Sequence, residues 1–414
     1  MVTQAPAKTC LVYLPHSYTG RGPAESCVQV IRYFEGQGLH PVLFVGRVRH
    51  DIPSGIEVRS GLPGAFNLIP WRIARIWALK RLDRMFERAL AEKTTPGIAY
   101  FWPSPPPGLV RRARERGWLT VREMTNRTLA AAKASLDEAF ARAGESAPHH
   151  ISEPMAQAEA EELRAFDLVF ASNINVENSL KEAGVEQDRI LSTSYGWPEE
   201  KFAEFAPLLP KSKGLRIGYL GTISIGKGVL DLLDAWKQWD GEGRLVLAGQ
   251  ADWSMRERLA AACAADKRIE TVGFVSDVAG FFASCDVVVI PTHDEGGPQV
   301  TYEAAAAGAA IIASPMAEAR LLRDGENALI VPCHDAAGIA RAIAQLAGDP
   351  ALRQRLGQQV CADVAPFAYS RVGANRADLL RKRLGDAARD ASARFEYGAI
   401  GSERAELLRG LVRK

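Results

Sequence analysis

Val287-Val288-Val289-Ile290-Pro291-Thr292-His293-Asp294-Glu295-Gly296-Gly297-Pro298-Gln299-Val300-Thr301-Tyr302-Glu303-Ala304 is the stretch that decides the reading of this chain. Four consecutive β-branched residues make a strand buried on both faces, as in a parallel sheet. The polar loop that follows carries Glu295, and Gly296, Gly297 and Pro298 turn the chain into an Ala-rich helix carrying Glu303. The first N–H groups of a helix lack internal partners, and the helix dipole adds partial positive charge. A strand emptying into such a turn is therefore a natural anion site. Pro298 suits the first helical position, where its missing N–H costs nothing, and the amides of Gln299 and Val300 then face a phosphate. At about 1.5 Å per residue, Glu303 stands about 7–8 Å from the helix start, where a ribose diol would lie. One phosphate seat with hydroxyl-binding carboxylates on both sides, Glu295 and Glu303, describes a sugar nucleotide.

The chain has 414 residues, enough for two domains with separate cores. Its 47% apolar and 24% charged composition is that of an ordinary globular protein. The net charge of +2 hides an asymmetry: residues 1–150 hold 21 Lys and Arg against 12 Asp and Glu, and the remainder is acidic. The basic part either meets something anionic or is a solvated surface; no nucleic-acid partner is expected. Six scattered cysteines without a CxxC pair favour a reducing compartment and argue against a cysteine zinc site. With no leader at Met1–Thr9 and no long apolar run, the expected location is cytoplasmic.

Short apolar runs alternate with helical patterns, the signature of parallel α/β architecture. Strands are expected at Cys10–Leu14, Pro41–Val45, Gly97–Phe101, Leu119–Val121, Leu168–Ala171 and Ile190–Ser192. After a linker at Pro207–Gly214, a second series follows at Arg216–Leu220, Arg244–Ala248, Ile269–Val272, Val287–Ile290, Ala310–Ala313 and Ala328–Val331. This predicts two Rossmann-like, doubly wound domains facing a central cleft. Residues 1–206 form the first and 207–384 the second, with a helical tail at 385–414 packing back on the first.

The second series opens with another strand, Gly loop and helix, Ile217 to Gly228. Lys227 at its mouth can set a point charge on a diphosphate. Together with the Glu295–Glu303 stretch, the pattern GxxSxxKG…VGFV…PTxxEGGPxxxxEAxAxGxxIIAS resembles the family 4 retaining glycosyltransferases of the GT-B fold, including their E-x7-E motif. The match is specific over residues 216–333 and loose elsewhere. The resemblance implies that Glu303 binds the ribose hydroxyls, that Glu295 binds the transferred sugar, and that Lys227 neutralises the diphosphate. It implies that backbone near Gly221 and Thr222 lines the phosphates, that Gly273–Phe274 frames the base, and that the turn at Gly22 approaches the donor phosphate. It also implies retention of configuration, with a nucleotide-diphosphate sugar as donor and a glycan or lipid-linked acceptor, in cell-surface glycan synthesis.

Two departures from that family stand out. Thr222 occupies the place of an arginine, and the segment Arg122–Asn126 lacks a histidine, leaving Glu123 or Asn126 as alternative sugar contacts. They keep open a rival reading, a non-catalytic nucleotide-sugar-binding scaffold or activator of a partner transferase. His16, at the end of the first strand, either faces the cleft or is an ordinary loop residue. No Asp-x-Asp is present, so no metal or other cofactor is expected, because Lys227 and helix amides can carry the leaving-group charge. Ile73, Ile76, Trp77, Leu79, Leu82, Phe86 and Leu90 recur at helical spacing among arginines. That helix, near 71–90, either lies on an anionic membrane face as a peripheral contact or packs on the first sheet.

Overall fold

The computed structural model describes residues 7–93, 95–103, 105–211 and 213–387. The part of the expected tail from 388 onward lies outside the described residues. The first parallel sheet uses β1 (Lys8–Tyr18), β2 (Leu39–Val48), β3 (Glu57–Ser60), β4 (Ile98–Phe101), β5 (Leu119–Glu123), β6 (Leu168–Ala171) and β7 (Ile190–Ser192). Their order is β3-β2-β1-β4-β5-β6-β7. The second uses β8 (Leu215–Leu220), β9 (Gly243–Ala248), β10 (Ile269–Gly273), β11 (Val287–Ile290), β12 (Ala310–Ala313) and β13 (Leu329–Ile330), in the order β10-β9-β8-β11-β12-β13. By internal contacts the chain divides into one unit up to Val121 together with the residues from Gly373 onward, and another at Arg122–Val372.

In the second sheet the chain winds outward from β8 through β9 to β10, then returns to pair β11 with β8 and winds the other way. This reversal is a topological switch point, where loops leaving the two central strands diverge and open a crevice at their carboxyl ends. The loops in question are 221–228 after β8 and 291–298 after β11. All four residues of β11 and of β12 are buried, as their near-continuous apolar sequence requires. Helix Val229–Gln238 turns Val229, Leu232, Leu233 and Trp236 into the same core. Trp236 packs on Trp239 at 4.9 Å between ring centroids, and its indole N–H donates to Asp266 at 3.1 Å. Each such side chain contributes about 1.5–3 kcal/mol by leaving water.

Three elements go beyond the sequence expectation: β3, helix Leu129–Arg142 and helix Ile174–Glu182. A further correction concerns helix Trp71–Glu92. Its inward stripe is Ala74, Ala78, Leu82, Phe86, Ala89 and Leu90, whereas Ile73, Ile76 and Trp77 face solvent. The first half of the helix lies so close to Gly61 that a Cβ there would sit 2.5 Å from the Ala78 carbonyl. Only small residues fit that interface, so the large apolar side chains turn outward. No helix among the described residues is long and apolar enough to cross a membrane, and none of the six cysteines is in a disulfide.

The ends of β8 and β9 meet backbone to backbone. Gly249 has φ +136°, and a Cβ on it would lie 1.8 Å from the Gly221 carbonyl oxygen. Gly249→Ala is therefore expected to cost about 2–4 kcal/mol in chemical denaturation, strain and overlap together. Gly273→Ala, at φ +66° with nothing within 4 Å of its Cβ, should cost only about 1–2 kcal/mol. Equal losses would mean that the overlap is relieved by backbone movement.

Candidate functional site

The two loops at the switch point are locked together. Gly228 has φ +70° and caps helix Val229–Gln238, and a Cβ on it would stand 2.0 Å from the Pro291 carbonyl oxygen. The amide of His293 donates to the Gly226 carbonyl at 3.1 Å. This seating puts the Lys227 ammonium 2.6 Å from Glu295 Oε1 and 3.2 Å from the Asp294 carbonyl. Both side chains keep some exposure, 35% for Lys227 and 17% for Glu295. A partly wet ion pair of this kind exchanges partners without the penalty of a buried charge.

Glu303 meets a different environment. It lies in helix Gln299–Ala306, for which Pro298 is the N-cap rather than the first helical residue, and no side chain caps the helix start. The amides of Gln299 and Val300 therefore belong to the uncapped turn. The Gln299 side chain donates to the Tyr369 hydroxyl. Thr301 bonds the Ala317 carbonyl at 2.9 Å, which fixes the helix. The Glu303 residue is half-buried by area. Burial pushes its pKa up to about 7, with Lys201 opposing the shift. Two glutamates eight positions apart thus have opposite surroundings, one held by a cation and one desolvated.

Gly296 and Gly297 are required by close approach. A Cβ on Gly296 would meet the Asn126 Cα at 2.1 Å, and one on Gly297 would meet the Tyr195 ring at 1.9 Å. The Gly296 carbonyl accepts from the Ser172 hydroxyl and, at 2.9 Å, from the Asn173 amide, while Asn173 also caps helix Ile174–Glu182. Arg127 grips Asp294 through two nitrogens, each at 2.7 Å. Sequence reasoning missed Arg127, Ser172 and Asn173 as anchors of this loop. Asn173 after β6 is a readable helix cap, but nothing in the sequence ties it to Gly296.

Of the remaining expected residues, Gly221 and the exposed Thr222 begin the 221–228 loop, and the Tyr219 hydroxyl donates to the Thr222 carbonyl at 2.6 Å. Phe274 follows β10 and is 55% exposed. Asn126 is exposed beside Gly296, whereas Glu123 is fully buried. In the first unit, Gly22 at φ +63° opens helix Gly22–Ile31 with space around it. His16 lies inside β1, two residues before its end at Tyr18, and burial lowers its pKa.

Two parallel α/β sheets wound in this way are the GT-B architecture. Residues 214–349 match the family described as Glycosyl transferases group 1. Over 198 residues the chain is 25% identical to the lipopolysaccharide core biosynthesis glycosyltransferase LpsE of Rhizobium meliloti (strain 1021), covering 47% of this chain and 58% of that one. Over 104 residues it is 31% identical to a D-inositol 3-phosphate glycosyltransferase of Streptomyces bingchenggensis (strain BCW-1), covering 25% and 23% respectively. These matches span less than two thirds of either relative. The crystal structure of Anabaena Alr3699/HepE in complex with UDP and glucose shares the fold, with a TM-score of 0.65 at 15% identity over 91% of this chain and 100% of that one.

Glu303 gives the site a pH signature. Its pKa is raised from 4.5 to about 7, so folding takes up a proton between those values. The carboxyl therefore favours the fold at low pH, and that contribution is lost as pH rises through about 7. Denaturation at pH 5 and pH 8 is expected to show a larger fall in stability for the wild type than for Glu303→Gln. Equal falls would mean that Glu303 titrates like a surface glutamate.

Proposed function

We propose that this chain is a metal-independent, retaining glycosyltransferase that moves a sugar from a nucleotide-diphosphate donor to an acceptor hydroxyl. The observation that carries the reading is the Lys227–Glu295 pair at the switch point, with the desolvated Glu303 further along the same strand–loop–helix unit. In this reading Glu303 accepts from the ribose hydroxyls, the uncapped helix start and Lys227 take the diphosphate, and Glu295 turns to the sugar. Phe274 offers an apolar face to the base. The acceptor oxygen bonds to the anomeric carbon as the bond to the diphosphate breaks, and a diphosphate oxygen takes the acceptor proton. The protein's part is positioning and stabilisation of the departing charge, so added magnesium or manganese should not raise the rate. A UDP-sugar donor is favoured by analogy with the UDP and glucose bound to the HepE structure, and surface-glycan synthesis by the role named for LpsE. Residues 207–384 act as the donor domain and 1–206 as the acceptor side.

The two glutamates are expected to separate in a paired titration and steady-state assay. Hydrogen bonds to a charged acceptor are worth about 1.5–3 kcal/mol each, so Glu303→Ala should weaken free nucleoside diphosphate and intact donor alike, by about tenfold or more. Glu295→Ala should cause no loss of nucleoside diphosphate affinity, because it also frees Lys227, while turnover falls by orders of magnitude. Matching profiles would overturn these roles, and a purified chain that neither transfers nor slowly hydrolyses any donor sugar would favour the scaffold reading.

The lipid-linked acceptor class is favoured by the outer face of helix Trp71–Glu92. Ile73 and Ile76 are 64% and 66% exposed, Trp77 packs edge-on against the exposed Phe66, and Leu68 is 93% exposed. Arg72, Arg75 and Lys80 are exposed on the same helix. Interfacial apolar groups among basic ones fit the face of an anionic bilayer. The chain is expected to float with vesicles containing anionic lipid and not with neutral ones. The double variant Ile73→Glu with Ile76→Glu should lose that binding and keep its melting temperature, and unchanged flotation would remove this face from the acceptor account.

A further inference from the structure

We propose that Asp231, His293 and His334 form a binding site for a zinc-type transition-metal ion, separate from the carboxylates and lysine assigned to the donor. One ligand atom from each of the three lies within 4.8 Å of the others. His293 Nε2 stands 3.2 Å and His334 Nδ1 3.9 Å from Asp231 Oδ2. Zinc bonds of about 2.0–2.1 Å in tetrahedral geometry set neighbouring ligand atoms about 3.3 Å apart, so the first separation already fits and the second needs a shift of about half an ångström.

The hydrogen bonding of the cluster is incomplete in a way that suits a cation. Asp231 Oδ2 is enclosed and makes no aligned hydrogen bond, while the unpartnered His293 Nδ1 lies on the far side of its ring from Asp231. The His293 side chain is only 4% exposed. The two imidazoles stack at 3.9 Å between centroids and 19° between planes, so one ring must swing out of the stack for both to share an ion. Behind His334, Glu138 Oε1 lies 4.0 Å from Nε2, the position of the carboxylate that commonly orients a ligating histidine. His334 itself is a non-glycine residue at φ +63°, which aims its ring out of an otherwise ordinary turn. The neighbouring Cys333 directs its thiol to the Thr292 carbonyl at 3.7 Å and lies outside the three-residue cluster. Two imidazoles and one carboxylate select zinc, cobalt or nickel; magnesium and calcium want an all-oxygen shell.

Such an ion would tie together helix Val229–Gln238, the 291–298 loop and the turn after β13. Lys227 precedes Asp231 by four positions and Glu295 follows His293 by two, so the ion would stiffen the donor loops without entering the transfer step. Binding at this site is independent of the transferase reading, and its test needs no activity.

The full chain, stripped by a chelator, is titrated with cobalt(II) and then with zinc. The expected result is one cobalt per chain with the intense visible absorption of tetrahedral coordination, displaced by zinc, and a melting temperature raised by zinc. Asp231→Asn should weaken cobalt binding by roughly 100-fold or more and abolish the absorption. His334→Asn should do the same while keeping the metal-free melting temperature, because Asn tolerates positive φ. Glu295→Gln should bind metal as the wild type does. If the wild type shows no tetrahedral absorption, or both ligand variants bind cobalt unchanged, the cluster is an ordinary aspartate–histidine ion pair and the proposal fails.

Discussion

The carbonyl of Pro291 stands where residue 228 would carry a side chain. That contact between two backbones is what the rest of the second unit is arranged around. Because the loops after β8 and β11 touch with nothing between them, a lysine from one and a glutamate from the other reach hydrogen-bond distance across the switch point. The same principle holds on the loop's other flank, where Gly296 and Gly297 rest on Asn126 and Tyr195. Three side-chain anchors from two further segments, Arg127 on one and Ser172 and Asn173 on the other, then fix the loop. The loop's shape is set by contacts distributed over more than a hundred residues of sequence, and its chemistry by the two or three side chains left facing outward.

Much of this architecture can be read from the chain itself. Fully buried strands such as β11 and β12 betray themselves by unbroken apolar runs, and their spacing yields the doubly wound order. What escapes is what depends on tertiary approach. β3 is a half-exposed edge strand, Glu57–Ser60, with no apolar run to announce it. Helix Leu129–Arg142 is rich in alanine and shows only Ala132, Ala139 and Phe140 to the core, too weak a stripe to separate from a loop. In helix Trp71–Glu92 the periodicity is genuine but its sense is inverted over the first half, because the neighbouring Gly61 admits only alanine. The Glu295–Glu303 spacing was legible as chemistry, whereas the anchors of the loop were not, since a hydrogen bond to a carbonyl more than 120 positions away leaves no local trace.

The site also shows how one residue type acquires two characters. Glu295 sits beside the Lys227 ammonium and keeps partial exposure. Glu303, half-buried and with no cation at bonding distance among the described residues, holds its proton up to about pH 7. Environments that drive like groups apart are a common mark of sites where ligand supplies the missing partner.

The salt link between Lys227 and Glu295 has a consequence for selectivity. An incoming phosphate that captures the ammonium strips Glu295 of its counter-ion, so a bare anion gains one contact and orphans another. Only a molecule that offers negative charge to the lysine and hydroxyl donors to the released carboxylate leaves both groups satisfied. Under the proposed function, inorganic phosphate and nucleotides without a sugar meet a site that is already internally neutral. On that reading the loop demands both halves of its substrate at once, through a swap of partners.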